Sequence, residues 1–186
     1  MVVAPITREL NGRTLALRCA EEKDAEMLLK YLKTTCGETP WLARGPEEVT
    51  MTVEEEKAFI RGQNESPVNL MLLAFRDGEH AGNASLMGFS TVRTRHRAQV
   101  AVALYQKFTG QGIGAALLEE LISIARQKGL EQLELEVAAQ NAGAIALYKK
   151  LGFEICGTLP RNMKYPDGNY ADVLYMAKPL GEGNGE

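Results

Sequence analysis

Cysteine, histidine and tryptophan are scarce in this sequence, with three, two and one among 186 residues. Cys19, Cys36 and Cys156 are widely spaced, odd in number and never set as C-x-x-C, which excludes a disulfide scaffold and matches reduced thiols in a cytoplasmic protein. His80 and His96 are too few for a histidine-rich metal centre, so no metal is expected. Long apolar runs are missing as well: Leu70-Met71-Leu72-Leu73-Ala74-Phe75 falls far short of a membrane span. The opening Met1-Val2-Val3-Ala4-Pro5 has neither the basic segment nor the apolar stretch of a secretory leader. No surplus of cations exists, since 21 basic residues face 24 acidic ones for a net charge of −3. That balance argues against nucleic acid and anionic membrane as partners, and any anion bound must be held by local geometry. With 45% apolar and 24% charged residues, the composition is that of one ordinary globular domain, and the mixture of helical and strand patterns read below makes its class α/β.

Thr14 to Arg18 is a β-prone run, and Ala25 to Leu32 carries apolar residues at helical spacing. Gly37, Pro40, Gly45 and Pro46 then break the pattern around Trp41. Thr52, with Glu55 three residues on, has the spacing of a capping box opening a second helix that runs to about Arg61. Asn69 to Arg76, Ala81 to Thr91 and Gln99 to Leu104 read as an antiparallel meander, its first turn made by Asp77-Gly78. Ile113, Leu117, Leu121 and Ile124 form one stripe of an amphipathic helix that Gly129 ends. Leu133, Leu135 and Val137 alternate with polar residues as a half-covered strand does, residues 142–151 form a further helix, and strands near 153–159 and 170–178 flank a turn-rich loop from Pro160 to Asn169. The domain therefore spans 14–178, with 1–13 and 179–186 expected as flexible ends.

Gly110-Gln111-Gly112-Ile113-Gly114-Ala115, between a strand and a strongly periodic helix, carries the chemistry. Alternate glycines let the backbone approach a ligand closely, and the amides of the helix start, backed by the helix dipole, form a site for phosphate or pyrophosphate. A P-loop is excluded because no Gly-Lys-Ser/Thr follows. The segment does satisfy G-x-G-x-x-A, with Glu134 and Glu136 about twenty residues on, so a dinucleotide-binding oxidoreductase is a competing reading. Chain position and the preceding antiparallel meander argue against it.

Two motifs resemble the GNAT superfamily of acetyl-CoA-dependent N-acetyltransferases. Thr109-Gly110-Gln111-Gly112-Ile113-Gly114 aligns with its Q/R-x-x-G-x-G/A signature, and Asn141 to Phe153 meets N-x-x-A-x-x-L-Y-x-x-x-G-F at every fixed position. Thr109 departs from the usual Gln or Arg. The resemblance implies a single domain in the order β-α-α-β-β-β-α-β-α-β-β, a mixed, largely antiparallel sheet with helices on both faces. It implies acetyl transfer to a primary amine of a small molecule or protein by direct attack in a ternary complex, and it is compatible with a homodimer. A non-catalytic acyl-CoA-binding domain is the alternative from another class.

By the same resemblance, Val102, Ala103 and Leu104 offer a strand edge to the pantetheine arm, Gln111, Gly112, Ile113, Gly114 and Ala115 receive the pyrophosphate, and Asn141 and Tyr148 contact the cofactor's pantetheine and thioester ends. Tyr148 is the candidate to protonate the leaving sulfur. A neutral amine is needed for attack, so some base must take a proton. Glu136 is the first candidate, and Glu134 shares its strand face. Glu38 and Trp41 are candidates for holding the acceptor, as a cation anchor and an apolar wall.

Overall fold

The computed structural model describes residues 1–181; the polar tail beyond, expected to fray, lies outside the described residues. Its strands are β1 (Ile6–Leu10), β2 (Arg13–Cys19), β3 (Leu70–Arg76), β4 (Glu79–Gly88), β5 (Arg97–Leu104), β6 (Gln132–Ala138), β7 (Glu154–Lys164) and β8 (Tyr170–Pro179). Its helices are α1 (Ala25–Glu38), α2 (Val53–Glu65), α3 (Ile113–Gln127) and α4 (Ala142–Lys150). The strands are ordered β1-β2-β3-β4-β5-β6-β8-β7, mostly antiparallel, with β5 and β6 parallel. The chain packs as two compact units, Met1–Met87 with Val102–Leu121, and Gly88–Ala101 with the chain from Ile122 on. The division cuts through β5 and α3, where no linker composition marks it.

In the first unit, β1 to β4 form an antiparallel array. Asp77 and Gly78, at φ 49° and 85°, make the turn that the Asp-Gly pair predicts. Residues 1–13 are not simply an end: Ile6–Leu10 pairs with β2 through a turn at Asn11 and Gly12. Only Ile6 and Leu10 are apolar in that strand, so its sequence carries no alternation, and pairing with β2 makes it a strand. Leu28 and Tyr31 of α1 and Ile60 of α2 pack on Met71 and Leu73 of β3. The capping box at α2 is present: Thr52 Oγ1 accepts from the Glu55 N–H and Glu55 Oε2 accepts from the Thr52 N–H. Asp24, 6% exposed, is held by both Arg18 guanidinium nitrogens at 2.6 and 2.7 Å.

In the second unit, β5 and β6 share only three register pairs, the last being Gln99 with Glu134. Both strands continue past that pair. β6 is covered on its other edge by β8 along its whole length, and its buried Leu133, Leu135 and Val137 alternate with more exposed residues as the sequence predicts. β7 runs on to Lys164, so much of the loop expected from Pro160 is strand. Proline can sit where the ladder is irregular, and here the register slips between Leu159 and Met163 around Arg161 at φ 53°. The true turn is shorter, closed by the Tyr165 N–H on Asn169 O.

Candidate active site

The glycine loop belongs to the first unit. β4 and β5 approach so closely beside it that a Cβ on Gly82 would lie 2.4 Å from Ala103 O, which only glycine avoids. After β5, the Tyr105 N–H bonds Ala81 O, and a short turn over Gln106–Phe108 is anchored by buried Phe108. Glu38 Oε2 accepts the Gln106 N–H at 2.8 Å and so holds this turn to the end of α1. That bond fixes the Glu38 carboxylate beside the turn that leads into the loop.

Thr109 and Gln111 both turn their side chains back onto the preceding turn, Oγ1 donating to Gln106 O at 2.7 Å and Nε2 to Lys107 O at 2.8 Å. The Thr109 departure from the family pattern thus puts a turn-closing hydroxyl at that position. Gly110 and Gly112 have φ of 72° and 84°, a region that L side chains enter at a cost, whereas Gly114 lies inside α3 and is buried. The first bond into α3 runs from the Ala116 N–H to Gly112 O. The amides of Ile113, Gly114 and Ala115 therefore precede any intrahelical acceptor, and they sit at the positive end of the α3 dipole. Val102, Ala103 and Leu104 are half-buried, and Ala103 O accepts from the Tyr31 hydroxyl at 2.7 Å.

Asn141 and Tyr148 belong to the second unit, at the two ends of α4. Asn141 is the N-cap, its Oδ1 accepting the Ala144 N–H at 3.2 Å. Tyr148 is 6% exposed and set edge-on to Phe153 with ring centroids 6.0 Å apart. Burial pushes its phenol pKa up to about 12. Beyond it, the Gly152 N–H bonds Lys149 O and the Phe153 N–H bonds Tyr148 O, with Gly152 at φ 84°. Those two bonds and the Tyr148–Phe153 contact make a Schellman helix end. The L-Y-x-x-x-G-F pattern is thus a helix stop that fixes where the tyrosine ring lies.

Of the two strand acids, Glu134 is tied, accepting from Arg97 Nη1 at 2.5 Å and Gln132 Nε2 at 2.7 Å. Glu136 is exposed and opposite Tyr175, whose phenol pKa it raises through a hydrogen bond. That separates two acids that spacing leaves equivalent. Trp41 is 37% exposed in the segment between α1 and α2.

One acid escapes sequence reasoning. Glu56 reads as one more acidic residue in the first turn of α2, yet it is 2% exposed. It shares the inward face with Ile60 and Gln63, and the available signal is the placement of two polar residues at i and i+7 around that buried apolar one.

A helix start with free amides behind two left-handed glycines, next to the end of β5, is compatible with an acyltransferase that uses a phosphate-bearing thioester. The pattern of the acetyltransferase (GNAT) family matches residues 29–153. The [ribosomal protein bS18]-alanine N-acetyltransferase of Escherichia coli K12 is 34% identical over 125 residues, 67% of this chain and 80% of that protein. An L-amino acid N-acetyltransferase of the same organism is 34% identical over 110 residues, 58% of this chain and 66% of that protein. Among solved structures, a GNAT-family acetyltransferase from Streptococcus pneumoniae superposes with a TM-score of 0.85 at 32% identity, covering 89% of this chain and 99% of that one. The chain belongs to the GNAT acetyltransferase family, and it is an acetyl-CoA-dependent N-acetyltransferase.

Proposed function

We propose that this N-acetyltransferase holds acetyl-CoA along β5 and the glycine loop and acetylates the primary amine of a small molecule or a polypeptide in a ternary complex. The observation that carries the reading is the loop itself: two left-handed glycines lead into amides without intrahelical acceptors, with both flanking polar side chains turned away. Such a loop fits a pyrophosphate, and it explains how a chain of net charge −3 binds a polyanion. Val102, Ala103 and Leu104 offer the edge for the pantetheine amides. When bound, acetyl-CoA supplies an activated acetyl group: a C–N bond forms, the C–S bond breaks, the amine gives up a proton and the departing sulfur takes one.

Tyr148 is the proton donor for that sulfur in this reading. A phenol held near 12 is fully protonated at neutral pH, so its hydroxyl presents a hydrogen-bond donor to the departing sulfur. Glu136, untethered to any cation among the described residues, takes the amine proton directly or through water. Asn141, whose Oδ1 is spent on the helix cap, keeps its amide nitrogen for the cofactor. The named relatives act on an alanine of ribosomal protein bS18 and on L-amino acids, so α-amines head the acceptor panel. Three free cysteines suit action in the cytoplasm.

Thermal melting with acetyl-CoA, CoA and NAD, followed by thiol release over an amine panel, tests the reading. Stabilisation by both CoA species and thiol release with an amine are expected. Stabilisation by NAD alone would overturn it.

A further inference from the structure

The first unit contains a cavity of about 260 Å³ that none of the groups above explains. It lies among α1, α2, β3, β4 and the segment joining the two helices, and its wall is largely apolar: Leu28, Leu32, Met51, Phe59, Met71 and Met87. Phe59 and Met87 are 45% and 38% exposed, so apolar surface meets solvent at its edge. That size is below the roughly 300–1,000 Å³ of pockets for drug-sized ligands and suits a single extended side chain. Methionines make such a wall adaptable.

Glu56 is set into this wall, 2% exposed. Among the described residues its carboxyl has neither an ion pair nor a hydrogen bond, and desolvation alone acts on it, raising its pKa. Arg44 lines the same cavity from the exposed segment between α1 and α2, and no ion pair joins the two. Gln63, two turns further along the same face of α2, has a buried Oε1 without a partner. Burying a carboxyl without a partner is unfavourable, and no described group of this unit compensates it. A donor group arriving with a ligand would.

A single hydrogen-bonded side chain, Tyr31, links the cavity to β5. Asn83 lines it, and the Tyr31 hydroxyl that contacts Asn83 Oδ1 at 3.0 Å also donates to Ala103 O, on the strand edge assigned to pantetheine.

We infer that this cavity is the acceptor's specificity subsite, and that it selects amines whose apolar chain ends in a second cationic or hydrogen-bond-donating group, received by Glu56. The inference rests on the acetyl-transfer reading above: one end of the acceptor presents the reacting amine near Asn83, and the other lies against Glu56.

The test compares 1-hexylamine with 1,6-diaminohexane, which differ only in the terminal donor, by thiol release and by calorimetric titration into the full chain with and without CoA. The diamine is expected to exceed hexylamine at least tenfold in kcat/KM and in affinity. Glu56→Gln, which keeps the side chain's shape, should erase that ratio by bringing diamine use down to the level of hexylamine. Ser85→Leu, which fills the cavity from β4, should weaken both amines and serves if Glu56→Gln fails to fold. Equal use of the two amines by the unsubstituted chain, or a ratio that survives Glu56→Gln, overturns the inference. If no amine releases thiol, the acetyl-transfer reading fails by itself, and the calorimetric preference for the diamine still decides the cavity.

Discussion

Replacing Gly112 by alanine separates the cost of a conformation from the loss of a ligand. At φ 84° an L residue costs about 1–2 kcal/mol. Sterically the position is open: a Cβ there would meet only Leu10 at 3.8 Å and Asn11 Nδ2 at 4.0 Å, ordinary contact distances. The apo protein should therefore lose about 1–2 kcal/mol, a fall in Tm of roughly 2–8 °C for a chain of this size. The cofactor should suffer more. Alanine relieves its strain by returning φ to negative values, which rotates the adjoining amides out of the cradle. With CoA at 100 times its Kd, the unsubstituted protein gains about 2.7 kcal/mol; a hundredfold loss of affinity cuts that gain to about 0.4 kcal/mol, and the ligand's Tm increment nearly vanishes. Gly82→Ala is the contrast, because its Cβ would lie 2.4 Å from a backbone oxygen that only a shift of β4 against β5 can relieve. It should lower the apo Tm further than Gly112→Ala does. Melting curves for both variants, with and without CoA, check the reasoning. A Gly112→Ala protein that melts as expected yet keeps the full CoA increment would remove the loop from the cofactor site.

On the proposed role of its hydroxyl, Tyr148→Phe should lower kcat by about 10²-fold or more in steady-state assays while CoA affinity and Tm hold. With that phenol near 12, the kcat–pH profile of the unsubstituted enzyme should show no alkaline loss from Tyr148 below about pH 10. Asp24→Asn should cost about 3–5 kcal/mol in urea unfolding, since it breaks the bidentate pair with partly buried Arg18. Stability should also fall on the acid side in two steps. Burial of His80 among Tyr31, Phe75 and Tyr105 lowers its pKa, so its contribution is complete above the unfolded value near 6.5 and lost as pH falls through the folded one. Burial would raise the Asp24 pKa, but hydrogen bonds from Arg18 and the Glu21 amide outweigh it and hold the carboxyl below its ordinary range, so the second loss begins below about pH 4. Urea midpoints that stay flat between pH 7 and pH 5 would contradict the His80 step.

Local physics was legible in the chain itself. The Thr52–Glu55 box, the Asp77-Gly78 turn, the stripe of α3 and the alternation in β6 each depend on residues a few positions apart, and each is present. So were the glycine loop and the helix stop at Gly152, because a left-handed φ and a free helix start are short-range properties. What spacing could not separate was the role of side chains whose partners are distant. Glu38 and Gln106 are 68 positions apart, and Glu134 and Arg97 are 37 apart, yet those contacts give one carboxylate a structural role beside the loop and tie the other to a cation. β1 needed β2 to become a strand, and β7 continued through a proline because β8 lay beside it.

By itself, then, the sequence determined the family resemblance, the order of elements from β2 on and the left-handed turns of the glycine loop, since these follow from motif and periodicity. Tertiary structure alone decided which acids are free to act. Glu54, Glu55 and Glu56 are consecutive and chemically alike, and only packing against α1, β3 and β4 leaves the third in a dry wall without a partner. Desolvation depends on what the rest of the chain brings to a side chain, and the side chain's own neighbours in sequence do not encode it.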